Sequence, residues 1–241
     1  FQSLSYTIDV YRGQLRATRD PVEFLAFVSF FPQLVAGPIE RATHLLPQFQ
    51  VERQFNMERA KDGLRQMLWG FFKKLVIADG CAPLVDGIFA GPVVDTPGIT
   101  LFFGAFFFAF QIYGDFSGYS DMAIGLGRMF GFQFLENFDR PYIARSVREF
   151  WRRWHISLSN WFRDYLYIPL GGNQLGGART YLNLLTVFFL TGLWHGASWN
   201  FVVWGLVHGF FMIIERAGLG RVLDRSPRLI GHVYTLLVVI M

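Results

Sequence analysis

Apolar and charged positions fall in long blocks along this chain instead of alternating. Three stretches contain no Lys, Arg, Asp or Glu, at 24–39, 96–114 and 180–214, and a fourth apolar run, LIGHVYTLLVVIM, occupies the C-terminus. A helix needs about 20 mostly apolar residues to cross a bilayer, so 96–114 predicts one crossing. The stretch 24–39 is shorter, is interrupted at Pro32 and runs into AGPIER. It reads equally as a span or as a re-entrant, broken helix. Residues 64–91 join an amphipathic piece carrying Lys73 and Lys74 to an apolar piece broken by Gly80 and Pro83.

The run at 180–214 carries the most information. As one helix it would extend roughly 50 Å, against a hydrocarbon core of about 30 Å. Its middle, GLWHGAS, holds glycines and small residues where a helix can break, and both flanks are basic: Arg179 before, then Arg216, Arg221, Arg225 and Arg228 after. The positive-inside rule places both ends in the cytoplasm and predicts a hairpin with arms 182–194 and 198–214 and His195 at the bend. An arm of 13 residues reaches only about 20 Å, which would set the bend inside the membrane. Broken backbone at that depth has to pack in protein or line a wet cavity. His195 is therefore expected to face a cavity.

A second pattern occupies 148–173. Wound as one helix, Phe150, Trp151, Trp154, Leu158, Trp161, Phe162 and Tyr165 share an arc, while Arg148, Glu149, Arg152, Arg153, Arg163 and Asp164 share the other. That is the pattern of a helix lying in the membrane interface. Seven arginines between Arg140 and Arg179, against Glu149 and Asp164, assign this region to the cytoplasmic side. His155 falls at the margin of the apolar arc, beside Arg148.

Composition strengthens the membrane reading. Charged residues make up 17% of the chain, hydrophobic ones 52%, and Phe occurs 28 times in 241 residues. Soluble domains carry about 25% charged residues. The formal net charge of +4 does not argue for nucleic acid, because cytoplasmic loops of membrane proteins are enriched in Lys and Arg. The single Cys81 excludes an internal disulfide and reads as a small buried hydrophobe, with thioester formation the rival use. The chain opens on Phe1 without a signal-peptide pattern and stops inside an apolar run. We therefore expect a single transmembrane domain over 1–241 that is an internal fragment of a longer membrane protein.

An ionisable side chain within a membrane run points by default to function. For His195 two uses stand side by side: a packing residue whose ring bonds a carbonyl, or a general base, since an imidazole titrates near working pH. Metal is disfavoured, because His44, His155, His195, His208 and His232 form no HxxxH pair and no CxxC is present. Bis-histidine haem ligation would require His208 to meet a partner on another helix. His44 and His232 read as surface or interfacial residues. GGNQLGG at 171–177 lacks the Lys-Ser/Thr of a phosphate loop and reads as a glycine-rich turn. Asp115 and Asp121, in YGDFSGYSDMAIG, read as helix caps ahead of vestibule residues.

Four stretches together carry a resemblance: FPQLVAGPIER (31–41), QIYGDFSGYSDMAIGLGRMFGF (111–132), NFDRPYIARSVREFWRRWHISLSNWFRDYLYIPLGGN (137–173) and LTGLWHGASWNFVVWGLVHG (190–209). They resemble the membrane-bound O-acyltransferase family, and within it the bacterial alginate O-acetyltransferase branch. D-alanyl transfer proteins of teichoic acids share the two histidine motifs. The resemblance implies an all-α integral membrane protein with a ring of transmembrane and re-entrant helices around a thinned centre. It implies His195 as catalytic base in a tunnel and His155 as the second signature residue on the cytoplasmic side. Arg152, Arg153, Trp194 and Asn200 are the expected substrate-binding residues. No bound cofactor is expected, with acetyl-CoA or an acyl carrier as the donor substrate. A periplasmic partner protein, a polysaccharide acceptor and a multi-pass place in the inner membrane are also implied. A transport subunit without chemistry is the non-enzymatic alternative.

Overall fold

The computed structural model describes residues 1–240, which are helical with irregular connections and contain no strand. They divide into two compact units, Phe1–Asn137 and the remainder from Phe138.

The first unit holds α1 (Gln2–Tyr11), α2 (Pro21–Val28), α3 (Ala42–Phe49), α4 (Met57–Phe72), α5 (Asp79–Phe89) and α6 (Gly98–Met129). Helix α2 begins where Asp20 accepts from Val22 N and Glu23 N with Pro21 in the first turn, a strong start signal. Its eight residues rise only about 12 Å. The chain then passes into a short 3₁₀ turn, Phe31–Gln33, so the uncharged stretch 24–39 is a broken helix. Phe27, Leu45, Leu46, Ile124, Phe132 and Phe134 form the core here.

Helices α4 and α5 are one continuous rod joined by a π-helical turn, Lys73–Ala78. Gly80 and Pro83 do not break it, contrary to expectation. The wide turn shifts the register immediately ahead of Pro83, whose ring and missing N–H strain a regular helix. The same turn aims two consecutive lysines at α6. Lys73, buried, pairs with Asp121, which also accepts from Gln66 Nε2 at 3.1 Å. Lys74 meets Asp115 and Asp79, each at 2.6 Å. Asp115 and Asp121 are thus mid-helix counter-ions and not caps. Helix α6 runs on through YGDFSGYSD because the carboxylates find lysines and Ser117 Oγ bonds back to Tyr113 O at 2.5 Å. Only 17% of its apolar window is buried, which is unlike the core helix of a soluble domain.

The second unit holds α7 (Val147–Arg153), α8 (Ile156–Phe162), α9 (Gly177–His195), α10 (Trp199–Ile214), α11 (Gly220–Arg225) and α12 (Arg228–Ile240). Its core gathers Ala144, Val147, Phe150, Trp151, Phe188 and Val238. The 168–176 segment is a turn with left-handed backbone at Gly171 and Gly172, pinned by Asn183 Nδ2 donating to Leu170 O and Gly172 O. Helices α9 and α10 form the expected hairpin. They approach so closely that a Cβ on Gly205 would stand 2.3 Å from Phe188 O, and one on Gly192 2.3 Å from Phe201 O. The first arm is longer than the charge pattern suggested: nineteen residues from Gly177 rise about 28 Å, close to a full hydrocarbon core. The bend therefore need not sit at mid-depth. Among the described residues, Gly98–Met129 and Trp199–Arg225 are the two helices long and apolar enough to cross a membrane.

Candidate active site

The single amphipathic helix expected over 148–173 is interrupted. Ser146 caps α7 by accepting from Glu149 N at 3.0 Å, and the helix ends at Trp154, whose N–H still reaches Phe150 O at 2.8 Å. His155 then adopts a left-handed backbone, φ +44°, before α8 begins with Ser159 N donating to His155 O at 3.0 Å. Such a conformation costs a residue with a side chain about 1–2 kcal/mol. It turns the imidazole inward: His155 is 4% exposed, where a continuous helix would have left it at the margin of the apolar face. Burial pushes its pKa down to about 3, with the charge of nearby His195 acting in the same direction. His155 is a neutral ring at any physiological pH, and it lies within electrostatic reach of His195.

His195 closes α9, and Gly196, Ala197 and Ser198 make the bend. Ser198 Oγ accepts from Asn200 N at 3.4 Å to start α10. Rings surround the imidazole on one side: Trp194 at 4.7 Å, Trp204 edge-on at 5.2 Å and Phe201 stacked at 6.2 Å. The other side is open, and His195 is exposed within this unit instead of being enclosed by it. Trp204 continues inward to His208 at 5.0 Å, and Trp151 to the same ring at 5.1 Å. His208 is 2% exposed, with the two indoles edge-on against its ring. Phe201, Trp204 and His208 recur at helical spacing on one face of α10, a signal that the sequence reading passed over.

The other expected site residues separate. Trp194 flanks His195 and is 48% exposed; Asn200 is exposed at the start of α10. Arg153 is tied down: it donates to Glu149 Oε1 at 2.9 Å and to Asp139 Oδ2 at 3.2 Å. Arg152 is exposed and faces a groove shared with Arg148, Arg163 and Arg216. His44, read as a surface residue, is half-exposed with Nδ1 at 2.6 Å from the buried Glu40. Its pKa is raised by that hydrogen bond, against the lowering effect of burial.

Two helices long and apolar enough to cross a bilayer, a hairpin with an imidazole at its bend and a second, buried imidazole nearby are the features of a helical protein of membrane type. Residues 12–227 match the membrane-bound O-acyltransferase family, and the chain belongs to it. A protein of Azotobacter vinelandii named "Probable alginate O-acetylase AlgI" is 51% identical over 230 residues, covering 95% of this chain and 45% of that protein. The peptidoglycan O-acetyltransferase of Helicobacter pylori is 44% identical over 198 residues, 81% of this chain and 37% of its own. The teichoic acid D-alanyltransferase of Streptococcus thermophilus is 27% identical over 247 residues, 92% and 58% respectively. The chain spans about half the length of the alginate relatives it matches.

Proposed function

We propose that the protein acts, as part of a multi-pass inner-membrane enzyme with the family's ring of helices, as an O-acetyltransferase. It would pass acetyl groups towards an exported polysaccharide such as alginate. His195 takes the proton of the acceptor hydroxyl as that oxygen attacks the acyl carbon. The bond from the acyl carbon to the donor breaks, and the departing group takes up a proton. His155 and Arg152 lie where an anionic donor, acetyl-CoA or an acyl carrier, would arrive from the cytoplasm, and Trp194 and Asn200 border the reacting ring. Arg153 acts by holding α7 through Asp139 and Glu149, not by meeting substrate. A periplasmic partner protein would receive the acetyl group or complete the transfer.

The observation that carries the reading is the placement of His195 at the bend of the α9–α10 hairpin, within electrostatic reach of a buried, neutral His155, in a chain of this family. A neutral imidazole there is competent to accept a proton. The relatives that act on peptidoglycan and teichoic acid keep a second cargo open, another surface glycan or a D-alanyl group. The test uses the full-length gene in a strain deleted for it, with ester-linked acetate measured on the secreted polymer. Wild type should restore acetate, and His195→Ala at equal membrane levels should not. Normal acetylation by the variant would remove His195 as base. Acetate absent from both, with D-alanine esters present, would change the cargo. Normal acyl export without any requirement for either histidine would favour a transport subunit.

A further inference from the structure

Helices α7 and α8, together with α9 and the end of α10, border a groove of about 410 Å³ that neither His155 nor His195 lines. Its lining is divided by chemistry. Leu184, Val187, Phe188 and Met212 form an apolar wall, and four arginines, Arg148, Arg152, Arg163 and Arg216, supply the cationic side. Arg163 is neutralised by Asp164 in a two-pronged pair at 2.6 and 3.1 Å. Arg148, Arg152 and Arg216 are exposed and have no carboxylate partner among the described residues. The carboxylate next in sequence to Arg216, Glu215, is occupied by Val147 N at 2.6 Å and Arg148 N at 3.0 Å.

Uncompensated guanidiniums beside an apolar wall match a ligand that is anionic at one end and hydrocarbon at the other. A guanidinium offers phosphate a planar two-donor fork, and basic pockets between membrane helices hold acidic lipid head groups. A small soluble anion would leave the wall of Val187, Phe188 and Met212 uncovered, and a zwitterionic lipid would bring its own ammonium beside the guanidiniums. We propose that this groove binds one anionic phospholipid, its phosphate against Arg148 and Arg216 and the first methylenes of an acyl chain along the wall. The lipid site shares Arg152 with the proposed approach of the donor, but its phosphate contacts, Arg148 and Arg216, stand apart from the histidine pair, and the proposal does not rest on the acyl-transfer reading.

The full-length protein, purified in mild detergent, would be mixed with phosphatidylglycerol or phosphatidylcholine and the bound lipid counted by native mass spectrometry. Wild type should retain one phosphatidylglycerol, with a preference on the order of tenfold over phosphatidylcholine. The double variant Arg148→Gln/Arg216→Gln should bind the two lipids alike, whereas Arg179→Gln, outside the groove, should keep the preference. Both substituted arginines are exposed, and Arg148→Lys/Arg216→Lys, which keeps the charge, should retain part of the selectivity. Equal retention of both lipids by wild type would overturn the proposal. So would displacement of phosphatidylglycerol by equimolar inorganic phosphate or coenzyme A, which would assign the groove to a soluble anion. Lipid counting is independent of acetyl transfer, so failure here leaves the reading of His195 standing.

Discussion

At His155 the backbone and the side chain oppose one another's preferences, and burial decides the outcome. A left-handed residue with a side chain is costly, and a buried imidazole cannot easily charge. The unfolded ring has a pKa near 6.5 and the folded one about 3. Above pH 6.5 both states are neutral and the ring contributes nothing to pH dependence. As pH falls from 6.5 towards 3 the unfolded chain takes up a proton that the folded chain refuses, and stability drops by about 1.4 kcal/mol per unit. The thermal midpoint of the full-length protein should therefore fall more steeply between pH 7 and pH 5 than that of His155→Asn, which tolerates the same backbone and does not titrate. Parallel curves would mean that the ring is solvated. His195 was legible in the sequence because it stands near the centre of a charge-free run, among the small residues of GLWHGAS. The burial of His155 was not, because a helical wheel assumes one unbroken helix, and a break at Trp154–His155 reverses which way the ring points.

Between elements, the contact that anchors the start of α7, the helix ahead of this break, is made by Glu215. At the end of α10, it is 3% exposed and holds the first two N–H groups of α7, Val147 and Arg148. A seven-residue helix has little intrinsic stability, so the segment carrying His155 depends on that carboxylate. Glu215→Ala leaves one buried and one partly buried donor unmet and should cost about 1–3 kcal/mol, read as a lower thermal midpoint, with Glu215→Gln recovering part of the loss. A midpoint within about one degree of wild type for Glu215→Ala would show that water or another group serves α7 equally well, since even 1 kcal/mol shifts a domain of this size by roughly 2–4 °C. At this scale the α9–α10 hairpin was legible because GLWHGAS offers a break and both flanks are basic. The π-helical turns at Lys73–Ala78, Arg163–Tyr167 and Glu215–Leu219 leave no mark in hydrophobic spacing. For that reason Asp115 and Asp121 read as caps: only the turn at Lys73–Ala78 brings Lys73 and Lys74 round to them.

For the molecule as a membrane protein, the family was legible from four long motifs, while the orientation of its helices rests on charge. In the hairpin, α9 rises about 28 Å from its basic start to His195, and Trp199–Arg225 is long and apolar enough to return. Arginines bracket the pair, Arg179 at one end and Arg216, Arg221 and Arg225 at the other, so the positive-inside rule predicts both ends on the cytoplasmic face. Arg179 and Arg221 are both exposed and can be replaced singly by cysteine in a full-length protein whose native cysteines, Cys81 included, are changed to serine. A membrane-impermeant maleimide should label both positions in inside-out vesicles and neither in cells whose outer membrane alone is permeabilised. A cysteine at Ser198, in the bend, should show the opposite preference if α9 stands upright, and equal protection from both sides if the bend is sunk at mid-depth. Labelling of Arg179→Cys and Arg221→Cys from opposite sides would dismantle the hairpin orientation.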